Sequence, residues 1–223
     1  MKLHSFLYEI LIFSLILAFC VLPPCFISPS QDIFIFTKPI FPWKSLGLFC
    51  FSLVFYFVIL KKRFSVNPHT LLAFVFCFCL LFLNSLIMKA VSFFVQNNTE
   101  ELQNSIIKPQ TGVEWLFIIF NFLFASFYEE VIYRAYFPAA IISLLGKIKK
   151  VQENEKLRLA TIIFAEIIAL LAFSFAHLYL GVLSVINAAI AHIILRLFYR
   201  KQEDIVACWS AHFIYNIISL ILL

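Results

Sequence analysis

The chain has 223 residues, of which 63% are hydrophobic and 13% charged, and its formal net charge is +5. Such a composition is far from that of soluble globular domains and indicates a membrane protein. We ascribe the positive charge to membrane orientation and contact with anionic lipid, because no basic face with stacking aromatic rings lies outside the apolar segments. Nucleic acid is therefore not an expected partner. The six cysteines lie in or beside apolar segments without CxxC spacing, which predicts neither a disulfide framework nor a metal site.

Seven apolar stretches approach the roughly 20 residues that a helix needs to cross a bilayer. They cover residues 6–27, 45–60, 70–88, 115–137, 159–177, 179–199 and 205–223. Their length favours helices over the short alternating strands of a membrane barrel. We predict an all-α fold, a polytopic membrane helix bundle with about seven (six to eight) transmembrane helices that forms a single membrane domain over 1–223.

The fourth stretch has an ambiguous course, because its apolar run continues past Pro138 to Leu145. It is either one long helix bent at the proline or a short re-entrant piece followed by a span that begins near Phe124.

Most of the 17 lysines and arginines fall at the N-terminus and in the loops after the second, fourth and sixth stretches. By the positive-inside rule, the N-terminus is cytoplasmic and the C-terminus lies outside. We expect an integral protein of the cell membrane.

Adjacent glutamates, Glu129 and Glu130, lie inside an apolar run, and Arg134 follows one turn later. Because a carboxylate at mid-bilayer costs roughly 2.5–3.5 kcal/mol on insertion scales, such residues usually mark a functional site. Residues four apart share a helix face, so we predict an ion pair between Glu130 and Arg134 that leaves Glu129 available for chemistry. Glu166 in the fifth stretch is an alternative partner for the arginine, and a purely stabilising polar cluster is the structural alternative.

Three further polar residues lie in the last stretches. His177 ends the fifth stretch, and His212 and Asn216 share one face of the seventh. The last two can donate hydrogen bonds toward a common point, as an oxyanion hole requires, although an interhelical hydrogen-bond pair has the same spacing. The chain has no His-Glu-x-x-His, no Gly-x-Ser-Gly and no pair of aspartates within a span. With these protease motifs absent, the remaining possibility is that glutamate and histidine side chains activate a water molecule, without a metal or cofactor.

The strings Glu129-Glu130-x-x-x-Arg134, Phe173-x-x-x-His177 and His212-x-x-x-Asn216, in this order, resemble the three motifs of the CPBP (Abi) family. Its members are intramembrane glutamic proteases, which include type II CAAX prenyl endopeptidases and bacteriocin-processing or immunity proteins. The resemblance covers about 113–220, which we take as the catalytic core, and leaves three accessory helices in 1–112.

The resemblance implies an endopeptidase that hydrolyses a peptide bond in or near the membrane. The implied substrate is a peptide or a lipidated protein, such as a CAAX-type C-terminal tail. It also implies roles: Glu129 is the general base, His177 positions the water or shuttles its proton, and His212 with Asn216 stabilises the oxyanion. Glu130 and Arg134 are supporting residues.

Two other functions use similar residues. A non-proteolytic immunity or scaffold protein would share the fold, and a proton-coupled transporter would also contain intramembrane Glu, His and Arg. The transporter is less favoured, because no inverted repeat is visible. The oligomeric state is not predicted.

One geometric condition accompanies the predicted roles. For Glu129 to reach the depth of His177, the fourth span has to begin near Phe122 or Phe124. A start at Trp115 places the two residues at different depths and conflicts with the predicted topology.

Overall fold

The computed structural model describes residues 2–26, 40–96 and 108–222, and side chains within 6–26, 40–94 and 108–222. The described residues contain helices and no strands, which confirms the predicted all-α fold. They divide into two compact units. The first unit takes the described residues of 1–29 and 132–192, and the second takes those of 30–131 and 193–223.

Ten α-helices are described in these ranges: α1 Lys2–Ile16, α2 Leu22–Cys25, α3 Trp43–Val54, α4 Pro68–Gln96, α5 Gly112–Glu129, α6 Phe137–Leu145, α7 Lys149–Glu153, α8 Glu155–Phe175, α9 Val182–Gln202 and α10 Val206–Leu222. Three π-helical segments continue these helices, at Leu17–Val21, Phe55–Ile59 and Glu130–Tyr136. A short 3₁₀ turn, Leu178–Leu180, separates α8 from α9.

Seven apolar helical stretches are described, and each overlaps one of the seven predicted spans, although the fourth extends eight residues further, to Leu145. Five are long and apolar enough to cross a membrane: Phe6–Cys25, Pro68–Phe94, Gly112–Leu145, Glu155–Phe175 and Val182–Gln202. Two shorter apolar helices, Trp43–Ile59 and Val206–Leu222, match the second and seventh predictions. At ~1.5 Å per residue these two reach about 25 Å, near the lower limit for a span. The chain is a multi-pass membrane protein. The predicted residues 27 and 223 lie outside the described ranges.

The fourth stretch is one continuous helical segment, Gly112–Leu145, so the re-entrant alternative is wrong. It begins at Gly112 because Thr111 and Glu114 form a reciprocal capping box. The Thr111 hydroxyl accepts from the Glu114 N–H at 3.3 Å, and the Glu114 carboxylate accepts from the Thr111 N–H at 3.1 Å.

The helix itself therefore begins at Gly112 and not near Phe122 or Phe124. The segment has 34 residues and is therefore about 51 Å long, some 20 Å longer than a hydrocarbon core of about 30 Å. Its first residue consequently does not determine the depth of Glu129, and the predicted sidedness stays a prediction.

The helix changes its hydrogen-bond pattern where the first motif lies. Residues Glu130–Tyr136 form a π-helical segment, and Pro138, which has no N–H to donate, follows within the first turn of α6. Short π segments within α-helices are frequently found at functional sites. Here the segment begins at the second glutamate and contains Arg134.

In the second unit, helix ends that alternating spans would place on the same side of the membrane are in contact. The Ser65 N–H, in the loop before α4, donates to Asp204 Oδ2 at 3.0 Å in the loop before α10. At the opposite ends of these helices, the Lys89 ammonium donates to the Leu222 carbonyl at 2.6 Å, and that of Lys108 to the Ile221 carbonyl at 3.0 Å.

Candidate active site

Glu129, Glu130 and His212 form a cluster between the end of α5 and the middle of α10. The His212 Nδ1 lies 2.8 Å from Glu130 Oε1, and its Nε2 lies 3.7 Å from Glu129 Oε2. One imidazole ring therefore has a carboxylate on each side. The residues are far apart in sequence, and the packing of α5 against α10 brings them together.

The two glutamates differ in burial. The Glu130 side chain is fully buried, whereas that of Glu129 is 23% exposed. Consecutive helical residues point about 100° apart, so one carboxylate can face the protein interior while its neighbour faces a space that water can enter. The arrangement has one carboxylate that holds a histidine and one that is accessible.

The contact with Glu130 orients the His212 ring. An ionised carboxylate only accepts hydrogen bonds, so Nδ1 carries the proton that it shares with Glu130. This bond directs Nε2 toward Glu129, in the way that a carboxylate orients the histidine of a Ser-His-Asp triad. The 3.7 Å gap at Nε2 is too long for a direct hydrogen bond and suits a bridging water.

Asn216 lies one turn beyond His212 on α10 and is half-buried. The helix spacing places its amide on the face that His212 occupies. The third motif therefore offers two neighbouring side chains that can donate N–H groups.

His177 belongs to the first unit, where it lies two residues after Phe175, the last residue of α8. Its Nδ1 lies 2.9 Å from the Phe173 carbonyl oxygen. A carbonyl only accepts, so Nδ1 carries the proton, and Nε2 of the neutral ring is an acceptor. The side chain thus caps a carbonyl near the end of α8.

Arg134 is fully buried, and its guanidinium carbon lies 3.8 Å from the centroid of the Phe173 ring. Sequence reasoning placed Phe173 in the second motif without assigning it a role, and it did not foresee this cation–π contact. The ion pair expected between Glu130 and Arg134, and the alternative with Glu166, stay predictions.

His192 is a second residue to which sequence reasoning gave no functional role. Its side chain is 2% exposed, and its ring centroid lies 5.5 Å from that of Phe173. No local pattern points to it, because it lies on α9 and meets Phe173 only through helix packing.

No group of three or more His, Cys, Asp or Glu side chains within the described residues is arranged to hold a metal ion. The metal-independent mechanism stays a prediction.

Residues 111–218 match the family model described as type II CAAX prenyl endopeptidase Rce1-like. The match begins at the Thr111 cap and contains all three motifs. Residues 111–218 are thus similar to the Rce1-like family. This confirms the resemblance over the predicted core, and residues 1–110 lie outside the matched segment. No curated protein and no solved structure matches the chain. The match supports, at family level, a CAAX-protease-type membrane endopeptidase.

Proposed function

We propose that the chain is an intramembrane glutamic endopeptidase, in which Glu129 activates a water molecule without a metal or cofactor. The observation that supports this most directly is the placement of His212 between Glu130 and Glu129. Glu130 and Arg134 act as supporting residues.

Glu129 suits the role of general base because it is the accessible member of the pair. A base has to reach its proton within hydrogen-bond distance, directly or through one water, and the buried Glu130 is already bonded to His212. His177 acts with Glu129 by holding the water or carrying its proton. Nε2 is the nitrogen proposed for this role, because Nδ1 is bonded to the Phe173 carbonyl.

His212 and Asn216 suit the oxyanion site. In the tetrahedral intermediate, the attacking oxygen and the oxyanion are bonded to the same carbon, so base and donor have to lie a few ångströms apart. The distance of 3.7 Å between Glu129 Oε2 and His212 Nε2 meets this requirement. Since Glu130 already takes the proton at Nδ1, His212 would donate from Nε2 in its doubly protonated form, and this N–H and the Asn216 amide would then stabilise the developing charge.

The reaction follows from these roles. Glu129 removes a proton from the water, and the resulting hydroxide attacks the scissile carbonyl carbon to form the tetrahedral oxyanion. As the carbonyl re-forms, the C–N bond breaks, and the proton held by Glu129 passes to the leaving nitrogen. The products are a new carboxylate and a new amine, and the Glu129 carboxylate is regenerated.

The proposed substrate is a peptide or a lipidated protein cleaved in or near the membrane, and a prenylated C-terminal tail is the first candidate. The matched family is described as prenyl endopeptidases, which supports this class. Membrane lipid surrounds the apolar helices.

Cleavage in proteoliposomes tests the proposal. Prenylated tails, unprenylated tails and short transmembrane peptides are compared for wild type and Glu129→Gln, with Glu153→Gln on the exposed helix α7 as the matched control. We expect Glu129→Gln to abolish cleavage and Glu153→Gln to retain it, with both variants folded and a chelator without effect. Cleavage that survives in Glu129→Gln would contradict the glutamic mechanism, and strong reversible inhibition by the chelator would indicate a metal.

If no substrate is cleaved by wild type, both proteins are compared in an immunity or protein-interaction assay. Equal function of wild type and Glu129→Gln there would indicate a scaffold.

A further inference from the structure

The Phe173 ring is the centre of a buried cluster in the first unit. The Arg134 guanidinium lies over its face at 3.8 Å, and the rings of Tyr133 and His192 lie 5.3 and 5.5 Å from it, centroid to centroid. Phe173, Tyr133 and His192 are each only 2% exposed, and Arg134 is fully buried. Two helical segments, the π-helical segment and α9, therefore hold this one ring of α8 in place.

Phe173 also contacts His177 in two ways. The two ring centroids are 4.7 Å apart, and the Phe173 carbonyl accepts the Nδ1–H of His177 at 2.9 Å. The Phe173 carbonyl can accept this side-chain N–H because α8 ends here. The His177 backbone N–H donates to the Ser174 carbonyl and not to that of Phe173. A single residue thus determines both the plane of the His177 ring and the nitrogen that carries its proton.

The contacts to Phe173 make it more than a packing residue. A carbonyl alone would leave the imidazole free to rotate about χ2, because such terminal torsions are broad. The Phe173 ring packs against the imidazole and restricts that rotation. Arg134, in turn, holds the Phe173 ring through a desolvated cation–π contact, which is stronger than one at an exposed site.

We infer that Phe173, held by Arg134 and His192, is the positioning residue that keeps His177 in its Nδ1–H tautomer. The role of this tautomer in cleavage rests on the proposed function. Arg134 of the first motif thereby acts on the histidine of the second motif through an aromatic ring.

The test measures the tautomer directly. Full-length chain with ¹⁵N-labelled histidine is studied by NMR in nanodiscs, and His177 is assigned from the signals lost in His177→Gln. Wild type should show a protonated Nδ1 and an unprotonated Nε2. Phe173→Leu should give a mixture of tautomers, and Phe173→Tyr, which keeps the ring, should restore the wild-type pattern. Phe175→Leu is the matched control, because Phe175 lies on the same helix and is 44% exposed.

Cleavage by the same variants completes the experiment. Phe173→Leu should lower kcat on the order of 10- to 100-fold, with KM changed less than about 2-fold, because the water is misplaced while substrate binding is retained. An unchanged tautomer or an unchanged kcat in Phe173→Leu overturns the inference. A tautomer shift in Phe173→Leu, with no cleavage by wild type, supports the positioning role and counts against the proposed function.

If Phe173→Leu does not fold, the same NMR measurement is made on His192→Leu. This variant keeps the Phe173 ring and removes one of the side chains that pack against it. A smaller shift in the same direction is expected. No shift in this variant overturns the inference.

Discussion

At the residue scale, the decisive feature is a histidine that lies between the carboxylates of two adjacent glutamates. Glu130 is buried against His212 Nδ1, and Glu129 lies partly open beside Nε2. The two carboxylates have different surroundings, because consecutive residues of a helix point in different directions. Two chemically identical side chains can therefore take different roles.

The Glu130–His212 hydrogen bond should contribute to folding. Glu130→Ala removes the acceptor and leaves a buried ring nitrogen unsatisfied, so we expect a loss of about 3–5 kcal/mol and a poor yield of folded protein. Glu130→Gln keeps an acceptor oxygen and should cost about 1–3 kcal/mol. Thermal unfolding in detergent compares the two variants, and equal losses would contradict a specific role for the hydrogen bond.

Arg134 should also affect stability. Arg134→Ala removes the guanidinium from the Phe173 ring, a contact worth about 0.5–2 kcal/mol, and removes the predicted partner of Glu130. We expect a lower yield of membrane-inserted protein and weaker cleavage. Arg158→Ala is the control, since Arg158 is 65% exposed. Normal yield with full activity in Arg134→Ala would refute its supporting role.

At the scale of elements, α1 is joined to the segment that carries the first motif. Glu9 on α1 forms an ion pair with Lys147 after α6, and the Ser143 hydroxyl of α6 donates to the same carboxylate at 3.3 Å. The Lys147 ammonium also lies 5.2 Å from the Phe6 ring centroid. An accessory helix outside the matched segment thus contacts the end of the long fourth helix.

Charge exchange tests this connection. Glu9→Lys places two ammonium groups together, so it should lower the yield and the unfolding temperature. Combination with Lys147→Glu should restore both, because the pair is re-formed with reversed polarity. The pair is partly exposed, so the effect of Glu9→Gln alone should stay within about 1 kcal/mol. A double variant no better than Glu9→Lys would contradict the pairing.

At the scale of the whole molecule, the contacts at helix ends agree with seven alternating spans. In the second unit, the loops that contain Ser65 and Asp204 meet at one end, and Lys89 and Lys108 meet the end of α10 at the other. Seven crossings place the two termini on opposite sides. The lysine and arginine distribution then predicts which side is cytoplasmic.

Epitope insertion tests this sidedness. A tag after Glu153, at the junction of α7 and α8, should be reached by antibody only after the cells are permeabilised. A tag after Gln110, just before α5, should be reached in intact cells. Both positions are exposed or half-exposed, so insertion should be tolerated. The reverse pattern would invert the predicted topology.

The sequence by itself determined the all-α class, the positions of seven apolar helices and the three motifs. Hydrocarbon thickness requires about 20 apolar residues per span, and that requirement can be read along the chain without knowledge of contacts. The same holds for the motif spacings, because residues four apart share a helix face.

Only the tertiary structure decided how these residues are partnered. Packing between α5 and α10, not spacing along a helix, selected His212 as the neighbour of both glutamates. The Phe173 cluster likewise needs the π-helical segment, α8 and α9 together. In an apolar environment each buried polar group has to find a partner, and which partner lies within reach depends on how helices distant in sequence pack.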